Sequence, residues 1–239
     1  MNREIEFQEE YYYHIYNRGV DKRKVFLDRW DYIKFLKQIQ AFNSVIPFGS
    51  FYEQSFITQN KYVPRSNYSC SEEPDKPLIE IIAYCLNPNH YHLLVKPKTK
   101  NGIPKFMQKI MADYTRYFNH KYKHTGHVWQ GKYKTKEIRS THSLIKLSVY
   151  VNCNAEIHGI AKKEEWLWSS YREYINSVPS SNYSCSKEQM EEQIKYRCSE
   201  QQVKEVLAEF KNTAEYIEFC NGLIPEIKAV KNLEKYGLE

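Results

Sequence analysis

Two histidines one residue apart, His90 and His92, follow the apolar run Ile79 to Leu86 and an Asn87-Pro88-Asn89 turn, and lead into Leu93-Leu94-Val95. On a strand, side chains i and i+2 share a face, so both imidazoles can meet one metal ion while Tyr91 points the other way. Two ligands do not complete a site. Further along, Thr141 to Gly159 reads as a helix on which Tyr150 and Asn154 are spaced to place a phenol and an amide oxygen on one face. A phenol nucleophile beside a divalent cation suits phosphodiester chemistry. His90, His92 and the Asn154 side-chain oxygen would hold the cation, Mg²⁺ or Mn²⁺, with positions open for a phosphate and water. Tyr150 would attack phosphorus, leaving a 5′-phosphotyrosine and a free 3′-hydroxyl that can reverse the attack. Taken singly, each signal has a bland reading: an H-x-H pair is more often structural, and a helical tyrosine is usually core or surface. Their conjunction is what points to a metal-dependent nucleic-acid enzyme.

The elements that must position these residues follow from hydrophobic periodicity. Tyr11 to Asn17 has strand composition and ends at Arg18-Gly19 before the charged loop Asp21 to Lys24. Asp28 or Asp31 can cap a helix whose apolar positions are Ile33, Phe35, Leu36, Ile39 and Phe42. Residues 46–77, with five prolines or glycines among polar residues, read as a long loop insertion. Ile79 to Leu86 and His90 to Lys96 form a hairpin around the Asn-Pro-Asn turn. Pro104 starts a helix with Phe106, Ile110, Met111, Tyr114, Tyr117 and Phe118 on its apolar side, and His127 to Arg139 reads as a fourth strand of poor alternation. The order predicts an α+β fold: a ferredoxin-like βαββαβ antiparallel sheet with an added nucleophile-bearing helix. Residues 1–175 make this domain, with the indoles of Trp166 and Trp168 packed on the sheet. A Ser/Asn linker spans 176–188, and 189–239 forms a helical C-terminal appendage with two amphipathic stripes.

The net charge of +6 is unevenly placed. Met1 to Tyr174 holds 27 Lys+Arg against 18 Asp+Glu, whereas the remainder holds 8 against 11. Between Lys96 and Lys136 there are 11 basic residues and the single acid Asp113, interleaved with Tyr114, Tyr117, Phe118, Tyr122, Trp129 and Tyr133. Such a block fits a surface that tracks a nucleic-acid backbone and stacks bases, and equally a solvated basic helix face. The six cysteines, at 70, 85, 153, 185, 198 and 220, include no C-x-x-C pair and read as reduced thiols. Ser66 to Ser71 recurs identically as Ser181 to Ser186, in segments expected to be loops. The N-terminus lacks an apolar signal core and no run is long enough to span a membrane, so a cytoplasmic, nucleoid-associated location without membrane contact is expected.

The motifs resemble those of the REP-associated tyrosine transposases, within the HUH class of single-strand nucleases. The matching stretches are Tyr-His-Ile-Tyr-Asn-Arg-Gly (13 to 19), Leu-Asn-Pro-Asn-His-Tyr-His-Leu-Leu (86 to 94), Gly-His-Val-Trp-Gln-Gly-Lys-Tyr-Lys (126 to 134), Tyr-Val-Asn-Cys-Asn (150 to 154) and Trp-Leu-Trp-Ser-Ser-Tyr (166 to 171). The resemblance implies metal ligation by His90, His92 and Asn154, a Tyr150 nucleophile, and single-stranded DNA bound beside a hairpin. Arg18, Lys22 and Arg23 on the first loop and Lys132 and Lys134 on strand four are its candidate phosphate contacts. Trp129 is a candidate base stacker, with a core position as the alternative. His14 and His142 are expected to be structural. Two departures stand out. Ala155 replaces the family's usual proline, which would let the nucleophile helix run further, and Lys132 replaces a common arginine, losing bidentate phosphate geometry.

The main competing reading keeps the sheet and the basic helix but makes the chain a non-catalytic nucleic-acid-binding module. A catalytically competent but domesticated nuclease shares every residue with the mobile form. A homodimer is left open by the sequence. If the basic groove is real, DNA binding weakens steeply with added salt through counterion release, which filter binding at graded ionic strength measures. A flat dependence would contradict the groove.

Overall fold

The structure is a computed structural model that describes residues 6–45, 76–176 and 198–236. Most of the expected insertion, most of the linker, the start of the tail and both Ser-Asn-Tyr-Ser-Cys-Ser copies, with Cys70 and Cys185, lie outside the described residues.

Strand β1 is Tyr12–Arg18. Gly19 ends it because the chain turns back on itself there: a Cβ would lie 2.3 Å from the Arg23 carbonyl oxygen and 2.8 Å from Val25 Cγ1. After a 3-10 turn, Val20–Lys22, helix α1 runs Arg29–Phe42. Both candidate caps take part. The Asp28 carboxylate accepts from the amides of Trp30 and Asp31, and Asp31 reaches back to the amides of Leu27 (2.7 Å) and Asp28 (3.2 Å). This is a capping box built with aspartate at its third position. Strands β2 (Ile79–Asn87) and β3 (His90–Pro97) form the hairpin, followed by α2 (Gly102–Tyr122) and β4 (Lys134–Ile138). Helices α3 (Thr141–Asn152), α4 (Asn154–Ile157), α5 (Tyr171–Asn176), α6 (Glu200–Leu207) and α7 (Thr213–Tyr236) complete the described chain.

The four strands form one antiparallel sheet in the order β2-β3-β1-β4. With the connectivity βαββαβ, this is the ferredoxin-like arrangement expected from the sequence. Alternation divides the sheet cleanly. Tyr13, Ile15, Tyr91, Leu93 and Val95 face α1 and α2, where Tyr91 packs against Phe35 at 5.3 Å and Trp129 at 5.2 Å. His14, Tyr16, His90 and His92 face the other way, toward α3. Trp168 stacks on Tyr32 at 4.6 Å, and the Trp166 indole donates to the Leu86 carbonyl, so this segment seals the outer side of β2.

Four expectations change. The fourth strand is shorter than 127–139: Trp129 makes only an isolated bridge to Gly19, and regular pairing starts at Lys134, beyond a turn at Gly131 (φ +67°). The helix expected over 141–159 breaks at Cys153 (ψ 10°), with the Asn152 side chain turned to Tyr216 and Ser170 and the Asn154 oxygen turned to Asn87. Ala155 therefore does not extend the nucleophile helix. The basic-aromatic block does not form one surface. Tyr114, Phe118 and Trp129 are core residues, and α2 lies on the sheet face opposite the histidines. Finally, the tail helices share the core of the body: Val203, Val206, Tyr216, Cys220 and Ile224 are buried in the same cluster as the sheet.

Among the described residues no helix is long and apolar enough to cross a membrane. The fully buried Asp31 also accepts from Tyr117 (2.9 Å), Lys121 (2.7 Å) and Tyr122 (2.7 Å), tying the start of α1 to the end of α2. Asp31→Ala should destabilise the protein by about 3 kcal/mol, since it strips a cap and leaves a lysine and two phenols short of an acceptor. Urea unfolding would show this as a lower midpoint, and an unchanged midpoint would mean that the network holds nothing together.

Candidate active site

The site is built on the face where β1 and β3 run side by side. Tyr16 pairs with His92 and Arg18 with His90, while on the other flank Cys85 pairs with His92 and Asn87 with His90. Each row across the sheet therefore begins with a β2 side chain, passes a histidine and continues to an aromatic or basic residue of β1. The tight fit of the loop around Gly19 holds this end in place: the Gly19 amide donates to Asn89 O (2.8 Å), and the Val25 and Phe26 amides both donate to Pro88 O.

His90 and His92 are held through their Nδ1 atoms. His90 Nδ1 lies 2.6 Å from Asn89 Oδ1, which puts the proton on Nδ1 and a lone pair on Nε2. His92 Nδ1 lies 2.8 Å from His14 Nε2, so His14 is the group that orients it. The two imidazole rings are 5.1 Å apart and nearly perpendicular. Asn154 enters from the start of α4 with its Oδ1 3.1 Å from His90 Nε2. Two lone-pair atoms facing each other at that distance repel unless something positive lies between or beside them. Asn87 supplies it here, its Nδ2 donating to both, at 2.9 Å and 2.6 Å.

These observations fit a divalent cation. Adjacent ligands around an octahedral ion of Mg²⁺ or Mn²⁺ size stand about 3 Å apart, and the His90–Asn154 pair has that spacing. Both Nδ1 atoms are engaged, so a metal would be met by the Nε2 atoms, that of His90 taking the ion in place of the Asn87 Nδ2 hydrogen bond. Burial drives the imidazoles toward the neutral, ligating form. It lowers the pKa of His90 to about 4, against the raising effect of the Asn154 bond and with help from Lys231 and Arg18. It holds His92 well below the usual histidine range, reinforced by His14, His90, Lys231 and His158. It also lowers His14 to about 4, with Lys136 adding to the effect. Among the described residues no group of three His, Cys, Asp or Glu side chains could hold a metal. Asn154 Oδ1 is the oxygen that the structure places beside His90 Nε2.

Tyr150 stands on α3 over the same face. Its ring centre is 5.4 Å from that of His92 and 6.0 Å from that of His14, edge-on to both. Although the helix breaks between them, Tyr150 and Asn154 still converge on the histidine pair, because the turn at Cys153 carries Asn154 inward. The phenol is half-buried, and its oxygen accepts from Lys231 Nζ at 3.2 Å.

The expected DNA contacts divide. Arg18 and Lys134 are exposed on the histidine face, and Lys132 is exposed beside the Gly131 turn. Arg18 bonds to the Gln130 side chain, which draws that turn toward β1. Exposed Lys22 sits beside the site, its carbonyl accepting from Asn89 Nδ2. Arg23 points away, its guanidinium on His124. Trp129 is not a stacking surface. It is 5% exposed and wedged among Phe26, Phe35, Tyr91 and Tyr114.

Sequence reasoning missed several residues of this site. His14, expected to be structural, contacts His92. Asn87, His158 and Lys231 were not singled out, and neither were Tyr16 and Lys136, which extend the histidine face toward β4. Alternation along β1 places His14, Tyr16 and Arg18 on one face, but only the β1–β3 register puts that face next to His92. Nothing in the sequence marks Lys231.

Residues 48–154 match the family model of the IS200-like transposases. The match covers less than half of the chain, and it agrees with the likeness to the REP-associated tyrosine transposases carried by the motifs. Among the solved structures similar to this chain are two. One, a REP-associated tyrosine transposase bound to a REP hairpin, is 12% identical with a TM-score of 0.48, covering 78% of this chain and 92% of that one. The other, a protein of Deinococcus radiodurans R1 assigned to the transposases, is 17% identical with a TM-score of 0.34, covering 68% and 99%. Likenesses at this level carry no weight for activity. No curated protein matches the chain.

The histidine cluster makes stability depend on pH. His14 and His90 titrate near 4 when folded and near 6.5 when unfolded. The unfolded chain thus binds the extra protons first, and stability falls as pH drops from about 6.5 to 4. Urea unfolding at pH 7.5 and pH 5 should show the lower midpoint at pH 5, and His14→Gln should flatten the difference. Equal midpoints at the two pH values would mean that these imidazoles are not held neutral by burial.

Proposed function

We propose that this chain is a metal-dependent single-stranded DNA endonuclease and strand transferase that acts next to DNA hairpins through a 5′-phosphotyrosine on Tyr150. The observation that carries the reading is the convergence of the Tyr150 phenol, two neutral imidazoles and a buried amide oxygen on one patch of the sheet face. The IS200-like transposases, whose family model residues 48–154 match, are generally metal-dependent, which supports the reading.

His90, His92 and Asn154 would hold the cation, Mg²⁺ or Mn²⁺, and imidazole nitrogens favour the latter. When bound, such an ion supplies positive charge to the non-bridging oxygens of a phosphodiester. The chain's own residues do the rest. His14 and Asn89 fix the orientation of the two imidazoles, and Asn87 keeps the amide oxygen of Asn154 aimed at His90. Tyr150 is the nucleophile. Its oxygen forms the new bond to phosphorus while the bond from phosphorus to the 3′ oxygen breaks, so the energy of the phosphodiester is retained on the protein. Reversal by a 3′-hydroxyl gives strand transfer.

DNA would reach the site over the half of the histidine face that α3 leaves uncovered. There Tyr16 lies half-buried and stacked on His14 at 4.9 Å, and Arg18, Lys134 and Lys136 are exposed around it. A flat phenol ringed by cations suits a base and its phosphates. Tyr16 thus takes the stacking place for which Trp129 is too deep, with Lys132 at the rim.

Incubation of the protein with labelled single-stranded hairpin DNAs and Mn²⁺, read by denaturing gel and mass spectrometry, should give an adduct on Tyr150 that a chelator abolishes. Tyr150→Phe should lower cleavage at least about 10³-fold while leaving hairpin affinity within about threefold, since only the attacking oxygen is lost. Tight binding with no adduct across a broad hairpin pool would favour the non-catalytic binding module. Undiminished cleavage by Tyr150→Phe would place the nucleophile elsewhere.

A further inference from the structure

The geometry points to Lys231, on the C-terminal helix α7, as a further residue of the nucleophile site: its ammonium orients the Tyr150 phenol and binds an oxygen of the phosphate that Tyr150 attacks. This rests on the phosphotyrosine reading above.

Three contacts place Lys231 there. Its Nζ donates to the Tyr150 oxygen at 3.2 Å, lies 4.9 Å from the centre of the Tyr150 ring, and donates to His158 Nε2 at 2.8 Å. His158 in turn meets His90 edge-on at 4.9 Å. The lysine is thus held between the nucleophile and a ring that touches the histidine pair. The helix that carries it is fixed to the nucleophile helix and to the segment beyond α4 at other points too. Asn152 Nδ2 donates to Tyr216 Oη at 2.9 Å, and Lys163 Nζ donates to Asn221 Oδ1 at 2.8 Å. Tyr216, Cys220 and Ile224 are buried in the common core. The position of Lys231 is therefore set by packing and not by a swinging tail.

Charge gives the reason. The residues proposed to hold the cation, two imidazoles and an amide, contain no carboxylate, and Arg18 stands beside His90. A lysine brought to the same place adds positive charge to a site that would already hold a divalent ion. Such an arrangement is favourable when an anion joins them, and a phosphodiester is the anion that a tyrosine nucleophile requires. A phenol oxygen has two acceptor positions. One taken by Lys231 fixes the direction of the other, from which the bond to phosphorus forms as the bond to the 3′ oxygen breaks. The phenol proton passes to solvent and the departing oxygen takes a proton from solvent. Lys231 keeps its protons throughout and acts by hydrogen bond and charge.

The test is single-turnover cleavage of a pool of labelled single-stranded hairpin DNAs with Mn²⁺ by the full chain, with DNA affinity and thermal midpoint measured on the same samples. Lys231→Ala should form the Tyr150 adduct about 10²-fold more slowly, with the midpoint retained and affinity changed by less than about fivefold. Lys231→Arg, which keeps charge and donors, should recover to within about tenfold of the wild-type rate. A merely structural lysine would not show this split between rate and midpoint or this rescue. If the wild type forms the adduct and Lys231→Ala forms it as fast or faster, Lys231 is a bystander or a shield, and this inference fails while the nucleophile assignment stands. If the alanine and arginine variants are equally slow, charge is not its contribution and the inference fails. If the wild type forms no adduct, the phosphotyrosine reading itself falls, and this inference with it.

Discussion

The structure depends on keeping a connected set of polar side chains satisfied beneath a helix. His14, His92, His90, Asn154 and Asn87 run in sequence, each within hydrogen-bond distance of the next or in ring contact with it, and Asn87 and Asn154 are fully buried. An unpaired amide or imidazole in such a place would cost about 1–3 kcal/mol, so the sheet register, the break after α3 and the turn before β3 all have to deliver partners at once. Among the described residues the Asn154 Nδ2 atom lacks a partner. That orphan sits on the side chain whose oxygen faces His90. The site is thus arranged around its acceptors, at the expense of a donor.

Much of this was legible in the chain. The strand pair, the capping aspartates, the helical apolar stripes and the order βαββαβ followed from periodicity, because each is a local pattern enforced by a shared core. The convergence of His90, His92, Tyr150 and Asn154 was also legible, though not for the reason of a shared helical face. Asn154 arrives by a turn at Cys153, which a spacing of four residues cannot reveal. Trp129 and the α2 aromatics mislead for a plain reason: composition does not say which face of the sheet a residue is on. His14 and Lys231 were out of reach because their relevance is set by register in one case and by tertiary docking in the other. No local signal encodes either.

The tail illustrates how the two halves of the chain support one another. Its amphipathic stripes suggested a small separate unit, yet Ser199 donates to Ile81 O on β2, Cys198 donates to Glu173, and Tyr216 stacks on Tyr174 at 5.4 Å. Cys153 and Cys220 lie close together in this interface, and the Cys153 thiol is pushed well up by its hydrogen bond to Cys220 and by burial. They are buried packing residues, consistent with the reduced thiols expected from their spacing.

The sheet has two edges, and they are treated differently. Along β2 the chain covers its own edge: Leu86 donates to Trp168 O, Ser170 to Tyr84 O, Ser199 to Ile81 O, and the Tyr174 hydroxyl to Ile82 O. The β4 edge is five residues long and bears the exposed Lys134 and Lys136, with Arg139 just beyond. Short, cationic edges resist pairing with a second strand. The same row of side chains thus guards the edge against another copy's backbone, and on the proposed reading it would also draw the DNA. On the proposed reading, neutralising those lysines would cost solubility along with affinity, so selection for one property would preserve the other.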